Sequence, residues 1–261
     1  MVGDTHAGVI ALAAVVGLIF GSFASVVAYR VPRRESIGGR SRCPACDHKI
    51  TAAENIPIVS YVVQRGRCRH CGAKISLRYP IVEGATAILF ALAVWKFGAS
   101  LTAVVYAAFF WVLIVLSVID LDHRKLLNRI VYPAFVIGWA CLIAASAFGD
   151  DGDRLKDAAL GAAIFGGFIF AIAFIYPAGM GGGDVKLAFV LGTFLGYLDA
   201  PGVVVVGMFL SFLVGSVVGV VTMLKEGGGR KTQVPFGPSL ALGSVMAIFV
   251  GRPLVDAYLR F

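Results

Sequence analysis

Charge is what this sequence has least of. Asp, Glu, Lys and Arg make up 15% of its 261 residues, against about 25% in a soluble domain. With 59% hydrophobic residues and a mean hydropathy of +0.87, the shortage speaks against a water-soluble globule. Other absences narrow the field. The residues before the first apolar run, MVGDTH, hold no Lys or Arg, and no small-residue cleavage site follows that run. It therefore reads as a retained span and not as a cleaved signal peptide. No strand–glycine–helix unit for a nucleotide-like cofactor occurs. The net charge of +8 comes without a recognisable nucleic-acid-binding module, so nucleic acid is not an expected partner. The spans show no inverted repeat of the kind that secondary transporters carry.

What the chain does have is apolar runs of about 20 residues, the length of a membrane-crossing helix. Eight spans are expected, at roughly 7–29, 80–98, 101–119, 130–148, 157–177, 185–198, 202–224 and 238–258. The fold class is therefore an all-α polytopic membrane protein with about eight transmembrane helices. The sixth run is short; it reads as a tilted or broken helix, or as one that continues into the glycines before it. Basic residues set the orientation. Of 23 Lys and Arg, 18 fall on one face, eleven of them between Arg30 and Arg78. The positive-inside rule puts that face in the cytoplasm, with both termini outside. The same charge suits anionic lipid headgroups as partners.

The loop between the first two spans carries two C-x2-C pairs, Cys43/Cys46 in RCPACDHKI and Cys68/Cys71 in GRCRHCGAKIS, with 21 residues between them. Two such pairs aim four sulfurs at one point, which is the donor set of tetrahedral zinc. Disulfides are disfavoured in a reduced cytoplasmic loop. His48 and His70 are alternative ligands, more simply read as solvated. The metal is expected to be structural, because so small a loop has little hydrophobic core of its own. Cys141 falls inside a span and reads as packing.

Two carboxylates stand at the cytoplasmic ends of spans. Asp120 follows an apolar run in VLSVIDLDHRKLLNRI, and Asp184 closes the glycine run of AGMGGGDVK. Asp122, two residues beyond Asp120, points to the opposite side of a helix. Taken singly, Asp184 reads as a helix cap and Asp120 as a charged stop. Taken together at one membrane level, they can meet. Two adjacent carboxyls share one proton. The ionised one can take a proton from a water attacking a peptide carbonyl, and the protonated one can donate to the leaving group. The pair titrates as a unit, so the two roles are not divided between the residues. Gly179, Gly181, Gly182 and Gly183 leave room for an extended peptide to approach. Helix–helix contact, the plainer use of glycine, fits Gly161, Gly166 and Gly167 better.

These stretches, together with GLIFGSFASVVAYRVP, ENIPIVSY, LRYPIVE and VPFGPSLALG, resemble the prepilin peptidases, or type IV leader peptidases, of the GxGD aspartyl protease class. The resemblance runs from residue 17 to residue 243. It implies that Asp120 and Asp184 are the catalytic pair, and that the substrates are type IV prepilins and pseudopilins cleaved on the cytoplasmic side of the bacterial inner membrane. It also implies a second activity, N-methylation of the new terminus from S-adenosylmethionine, and zinc at the cysteines. Pro235, Phe236, Gly237 and Pro238, in VPFGP, are candidates to hold an extended substrate together with Gly179, Gly181 and Gly183. Their plainer reading is a rigid turn before the last span. The chain departs from the family pattern at Ser25, Leu127 and Ser239, none of them a carboxylate.

Three segments follow: a first transmembrane helix at 1–29, a cytoplasmic zinc-binding segment at 30–80 and a transmembrane protease core at 81–261. Two rival functions are a carboxylate-based transporter and a zinc-containing assembly scaffold without catalysis. The glycine-flanked aspartates argue against the scaffold, and the cysteine loop has no evident use in a transporter.

Overall fold

The structure is a computed structural model. It describes residues 2–149, 153–177, 180–226 and 235–260. Among these the chain is helical, with no strand beyond two isolated bridges. The long helices are α1 (Val2–Arg30), α3 (Arg78–Phe97), α4 (Leu101–His123), α5 (Asn128–Gly149), α6 (Arg154–Ile175), α8 (Gly202–Glu226) and α9 (Gly237–Tyr258). A one-turn α2 (Val59–Val63) lies in the cysteine loop, and a 15-residue α7 (Gly182–Gly196) follows the glycine run. Among the described residues seven helices are long and apolar enough to cross a membrane, so the protein is a multi-pass membrane protein. The short sixth run is α7, which begins within the glycines at Gly182. At about 1.5 Å per residue it spans roughly 22 Å, less than the ~30 Å of a bilayer core.

The chain divides into two compact units, residues 1–115 and 116–261. In the first, α1 packs along α3. Gly17 and Gly21 let the helices meet backbone to backbone: a Cβ at Gly17 would sit 2.6 Å from Ala87 Cα, and one at Gly21 2.6 Å from Glu83 Cα. Trp111 Nε1 of α4 donates to Phe20 O at 2.8 Å, and its ring stacks on Phe23 at 5.8 Å.

In the second unit α7 is central. It packs on α5, α6, α8 and α9, and Leu187, Ala188 and Val190–Gly196 are all buried. Its closest partner is α6. A Cβ on Gly161 would collide with Gly192 O, and one on Gly192 with Gly161 O, so the two helices touch through bare backbone. Gly166 likewise faces the Phe189 ring. Gly167 does not share that role: a Cβ there would meet open space, because the next residue along a helix turns about 100° away from the contact. At the end of this unit remote from Asp184, the Ser146 hydroxyl and the Tyr197 phenol pair at 3.1 Å, both buried.

Candidate functional site

Asp120 lies one turn before the end of α4 and is 5% exposed, whereas Asp122 is exposed. The helical two-residue offset thus separates them as expected. Burial of a carboxyl demands a partner, and Asp120 has one: the Gly237 N–H, at the first position of α9, donates to its Oδ2 at 3.1 Å. A helix N-terminus is a natural seat for a carboxylate, since its leading amides lack partners within the helix.

Asp184 is held by the same device. It is the third residue of α7, and its Oδ2 accepts the Gly181 N–H at 3.2 Å, while its own N–H donates to Gly181 O at 3.0 Å. The capping reading of Asp184 is therefore correct as geometry. It does not exclude a second role, because Asp120 and Asp184 line the same open cleft of about 400 Å³ and lie within electrostatic reach of each other. The remaining walls are Gly181, Gly183 and the whole connection from Arg124 to Asn128.

That connection is short. Only residues 124–127 separate α4 from α5, and Arg124 turns the chain with a left-handed φ of 51°. Leu126 is then wedged between the two glycine-led helix starts. A Cβ on Gly183 would come 2.9 Å from Leu126 Cβ, and one on Gly237 would come 3.3 Å from Leu126 Cδ2 and 2.7 Å from Asp120 Oδ2. Glycine at 183 and 237 is therefore needed for close approach. Lys186 Nζ donates to Asn128 Oδ1 at 2.9 Å and sits 5.1 Å from the Tyr132 ring, tying α7 to the start of α5. Leu126, Asn128 and Lys186 were not singled out from the sequence as parts of the site. Their one sequence signal is position, six and eight residues after Asp120 for Leu126 and Asn128 and two residues past Asp184 for Lys186.

The remaining expected positions fall as follows. Gly179 lies outside the described residues, as does Val234 of VPFGP. Pro235, Phe236 and Pro238 are half-buried and are not among the residues lining the cleft. The Phe236 ring packs against Phe212 at 5.4 Å, and a Cβ on Gly215 would come 2.8 Å from it, so it anchors the start of α9 to α8.

The four cysteines converge in the first unit. Their sulfurs lie within 4.8 Å of one another, with Cys43 Sγ and Cys71 Sγ 3.9 Å apart. Zinc–sulfur bonds of about 2.3 Å in a tetrahedron place sulfurs roughly 3.8 Å apart, so the donor set fits such a metal. Two similar turns build it. Arg42 bridges Lys49 and Arg67 bridges Lys74. In each turn the residue after the second cysteine, Asp47 or Gly72, is left-handed, at φ 55° and 71°. The first cysteine N–H of each turn donates across it, Cys43 to His48 O at 3.0 Å and Cys68 to Ala73 O at 2.8 Å. The Ala45 amide, with help from neighbouring sulfurs, brings the Cys43 thiol down to about 7. Cys46 is drawn down by the His48 amide, but burial and the Cys71 and Cys43 sulfurs push it up further, to about 12. Crowded thiols of this kind resist multiple ionisation unless a cation is shared among them. His48 and His70 stack on each other at 4.7 Å beside the cluster.

Residues 15–97 match the profile of the bacterial peptidase A24 N-terminal domain, and residues 107–223 match that of the type IV leader peptidase family. A prepilin leader peptidase/N-methyltransferase of Bacillus subtilis (strain 168) is 35% identical over 245 residues, covering 94% of this chain and 95% of the relative. Proteins of the same name from Stutzerimonas stutzeri and Pseudomonas aeruginosa are each 34% identical, covering 95% and 94% of this chain and 93% and 91% of themselves. No solved structure matches the chain. With relatives this similar along nearly its full length, the chain is an enzyme and belongs to the type IV leader peptidase family.

Proposed function

We propose that the protein is a bacterial inner-membrane aspartic endopeptidase, which removes the leader from type IV prepilins and pseudopilins at the cytoplasmic face. Asp120 and Asp184 are its working carboxyls. The observation that carries this reading is their shared cleft, with each carboxyl oriented by a glycine amide at a helix N-terminus. The recess lies at the end of α7, a helix too short to cross the bilayer core alone, which suits water reaching a peptide bond at the membrane surface. One carboxylate takes a proton from the attacking water while its protonated neighbour hydrogen-bonds the oxyanion; as the C–N bond breaks and the carbonyl re-forms, the neighbour's proton passes to the leaving amine, so the two carboxyls end with their protonation states exchanged. Gly181 and Gly183 line the cleft without side chains and leave space for an extended backbone.

Segment 30–80 is assigned as a cytoplasmic zinc-binding segment between the first helix, 1–29, and the protease core, 81–261. Cys43, Cys46, Cys68 and Cys71 would hold the ion, which would supply a structural cross-link. A second activity, methyl transfer from S-adenosylmethionine to the new N-terminus, is proposed on the relatives' names and on the family resemblance.

The test is cleavage of a prepilin by the full chain in lipid nanodiscs, comparing wild type with Asp120→Asn and Asp184→Asn. Both variants should be inactive at normal protein levels; activity in either removes that carboxyl from the mechanism. The mass of the processed terminus should carry one added methyl, and an unmodified terminus would withdraw the second activity.

A further inference from the structure

The cysteine loop contains an apolar surface that neither the cleft nor the metal site uses. In α2, Val59, Val62 and Val63 are 53%, 66% and 62% exposed. They share one helical face, and Ile56 just before the helix extends it at 48% exposure. The opposite face is fully committed. Ser60 is buried; its Oγ accepts the Ile56 N–H and donates to Ala53 O, both at 2.9 Å. Gln64 Nε2 donates to Glu54 O at 3.2 Å. One turn of helix thus has its polar groups satisfied inward and its aliphatic groups turned out, the reverse of what an aqueous loop would select.

The depth of this face follows from a single bond. Glu83 of α3 is buried, and its Oε2 accepts the Ile58 N–H at 2.7 Å, at the residue that starts α2 with a left-handed φ of 58°. A Cβ on Gly84 would touch Ile58 Cδ1 at 3.8 Å, so the contact is close on both sides. The 20 residues of α3 are about 30 Å long, the thickness of the bilayer core, which puts Arg78 at its edge. Glu83 lies five residues further in, about 7 Å along the helix. α2 is therefore fastened at the depth where amphipathic surface helices lie, about 5–10 Å into the headgroup boundary. Arg65, Arg67 and Arg69 follow α2 directly and are exposed, and segment 30–80 holds only three acidic residues against eleven Lys and Arg.

We propose that α2 is an interfacial membrane anchor. Its Val59–Val62–Val63 face is buried among lipid chains, and Arg65, Arg67 and Arg69 bind anionic headgroup phosphates. The anchor fixes the cysteine segment against the bilayer through the Glu83–Ile58 bond. This proposal is independent of the peptidase reading.

The experiment uses the full chain in nanodiscs of phosphatidylglycerol and phosphatidylcholine, with Val62→Trp and, separately, Val59→Trp. Emission above that of the native tryptophans is followed with lipids brominated near the glycerol end of the acyl chain, and with aqueous iodide. The expected result is quenching by the bromolipid and protection from iodide at both sites. Quenching by iodide alone would overturn the proposal, because the face is then in water. Quenching by neither would also overturn it, because protein then covers the face. Replacing phosphatidylglycerol wholly by phosphatidylcholine should weaken the bromolipid quenching, and Arg65→Gln/Arg67→Gln/Arg69→Gln should remove that dependence. No dependence on headgroup charge in the first place would strike the arginines from the proposal.

Discussion

Gly237→Ala separates two uses of the VPFGP motif. If the motif holds substrate, the variant should bind substrate poorly and turn it over normally once bound. If Gly237 holds Asp120, the chemistry itself should suffer. The structure favours the second. An added Cβ would come 2.7 Å from Asp120 Oδ2, so the carboxyl or the start of α9 must yield by about 0.7 Å to reach ordinary contact. The 3.1 Å hydrogen bond that the Gly237 N–H donates to the same oxygen would be lost or bent. A hydrogen bond to a charged group contributes about 1.5–3 kcal/mol, and misplacing a reacting group by ~1 Å can cost a hundredfold. The expected loss is therefore about tenfold to a hundredfold in kcat, with KM nearly unchanged. Prepilin cleavage by protein of normal thermal stability measures it. Gly219→Ala is the control, since a Cβ there meets nothing within 4 Å, and it should cleave at the wild-type rate. A Gly237→Ala enzyme with wild-type kcat and a raised KM would refute the positioning argument and return the motif to substrate binding.

Gly183→Ala should also slow cleavage, but less, about tenfold; its Cβ strikes Leu126 at 2.9 Å, in a connection between helices that can shift, and a wild-type rate would show that Leu126 is not wedged. Gly192→Ala should lower the unfolding free energy by about 1–3 kcal/mol through overpacking against Gly161 and Ala162; an unchanged melting temperature would contradict the bare-backbone contact of α6 and α7. Cys68→Ser should leave segment 30–80 open to proteolysis and the protein without bound zinc, and undiminished zinc by elemental analysis would contradict the four-sulfur site. Zinc should also be lost on acidification, because protons compete for the thiolates it needs. Below about 7, where the metal-free Cys43 thiol holds its proton, binding must also displace that proton, so zinc affinity should fall more steeply with acidification; retention at pH 4 would argue against thiolate ligands.

The sequence made legible what depends on composition or short spacing. The membrane class follows from hydropathy, as do seven of the eight expected runs, the sixth being the short α7; the two C-x2-C turns announce convergent sulfurs because each pair is local. The separation of Asp120 from Asp122 follows from helical periodicity alone. What could not be read depends on pairs far apart in the chain. Gly237 meets Asp120 across 117 residues, and Lys186 meets Asn128 across 58; neither leaves a periodic trace. Nothing within LRYPIVE marks Glu83 as buried, yet it is buried and bonded to Ile58, 25 residues away. Gly167 looked like its neighbour Gly166, but facing direction, which composition does not encode, sets them apart.

The two aspartates also show why glycine is concentrated where it is. A carboxyl seated on a leading helix amide needs that amide unobstructed, and a second helix must come close enough to bring its own carboxyl to the same cleft. At Gly237 any Cβ would crowd the Asp120 oxygen at 2.7 Å, and at Gly183 it would press on Leu126 at 2.9 Å. Asp184 is reached by the amide of Gly181, three residues back in its own turn, so its geometry is set locally. Asp120 depends instead on the start of α9, which Phe236 pins to α8 through the Phe212 ring. Changes at the α8–α9 contact should therefore reach the cleft through Asp120 and leave the Asp184 turn intact. Phe236→Ala should therefore lower kcat although Phe236 does not line the cleft, and wild-type kcat in that variant would show that the α8–α9 contact does not hold Asp120 in place.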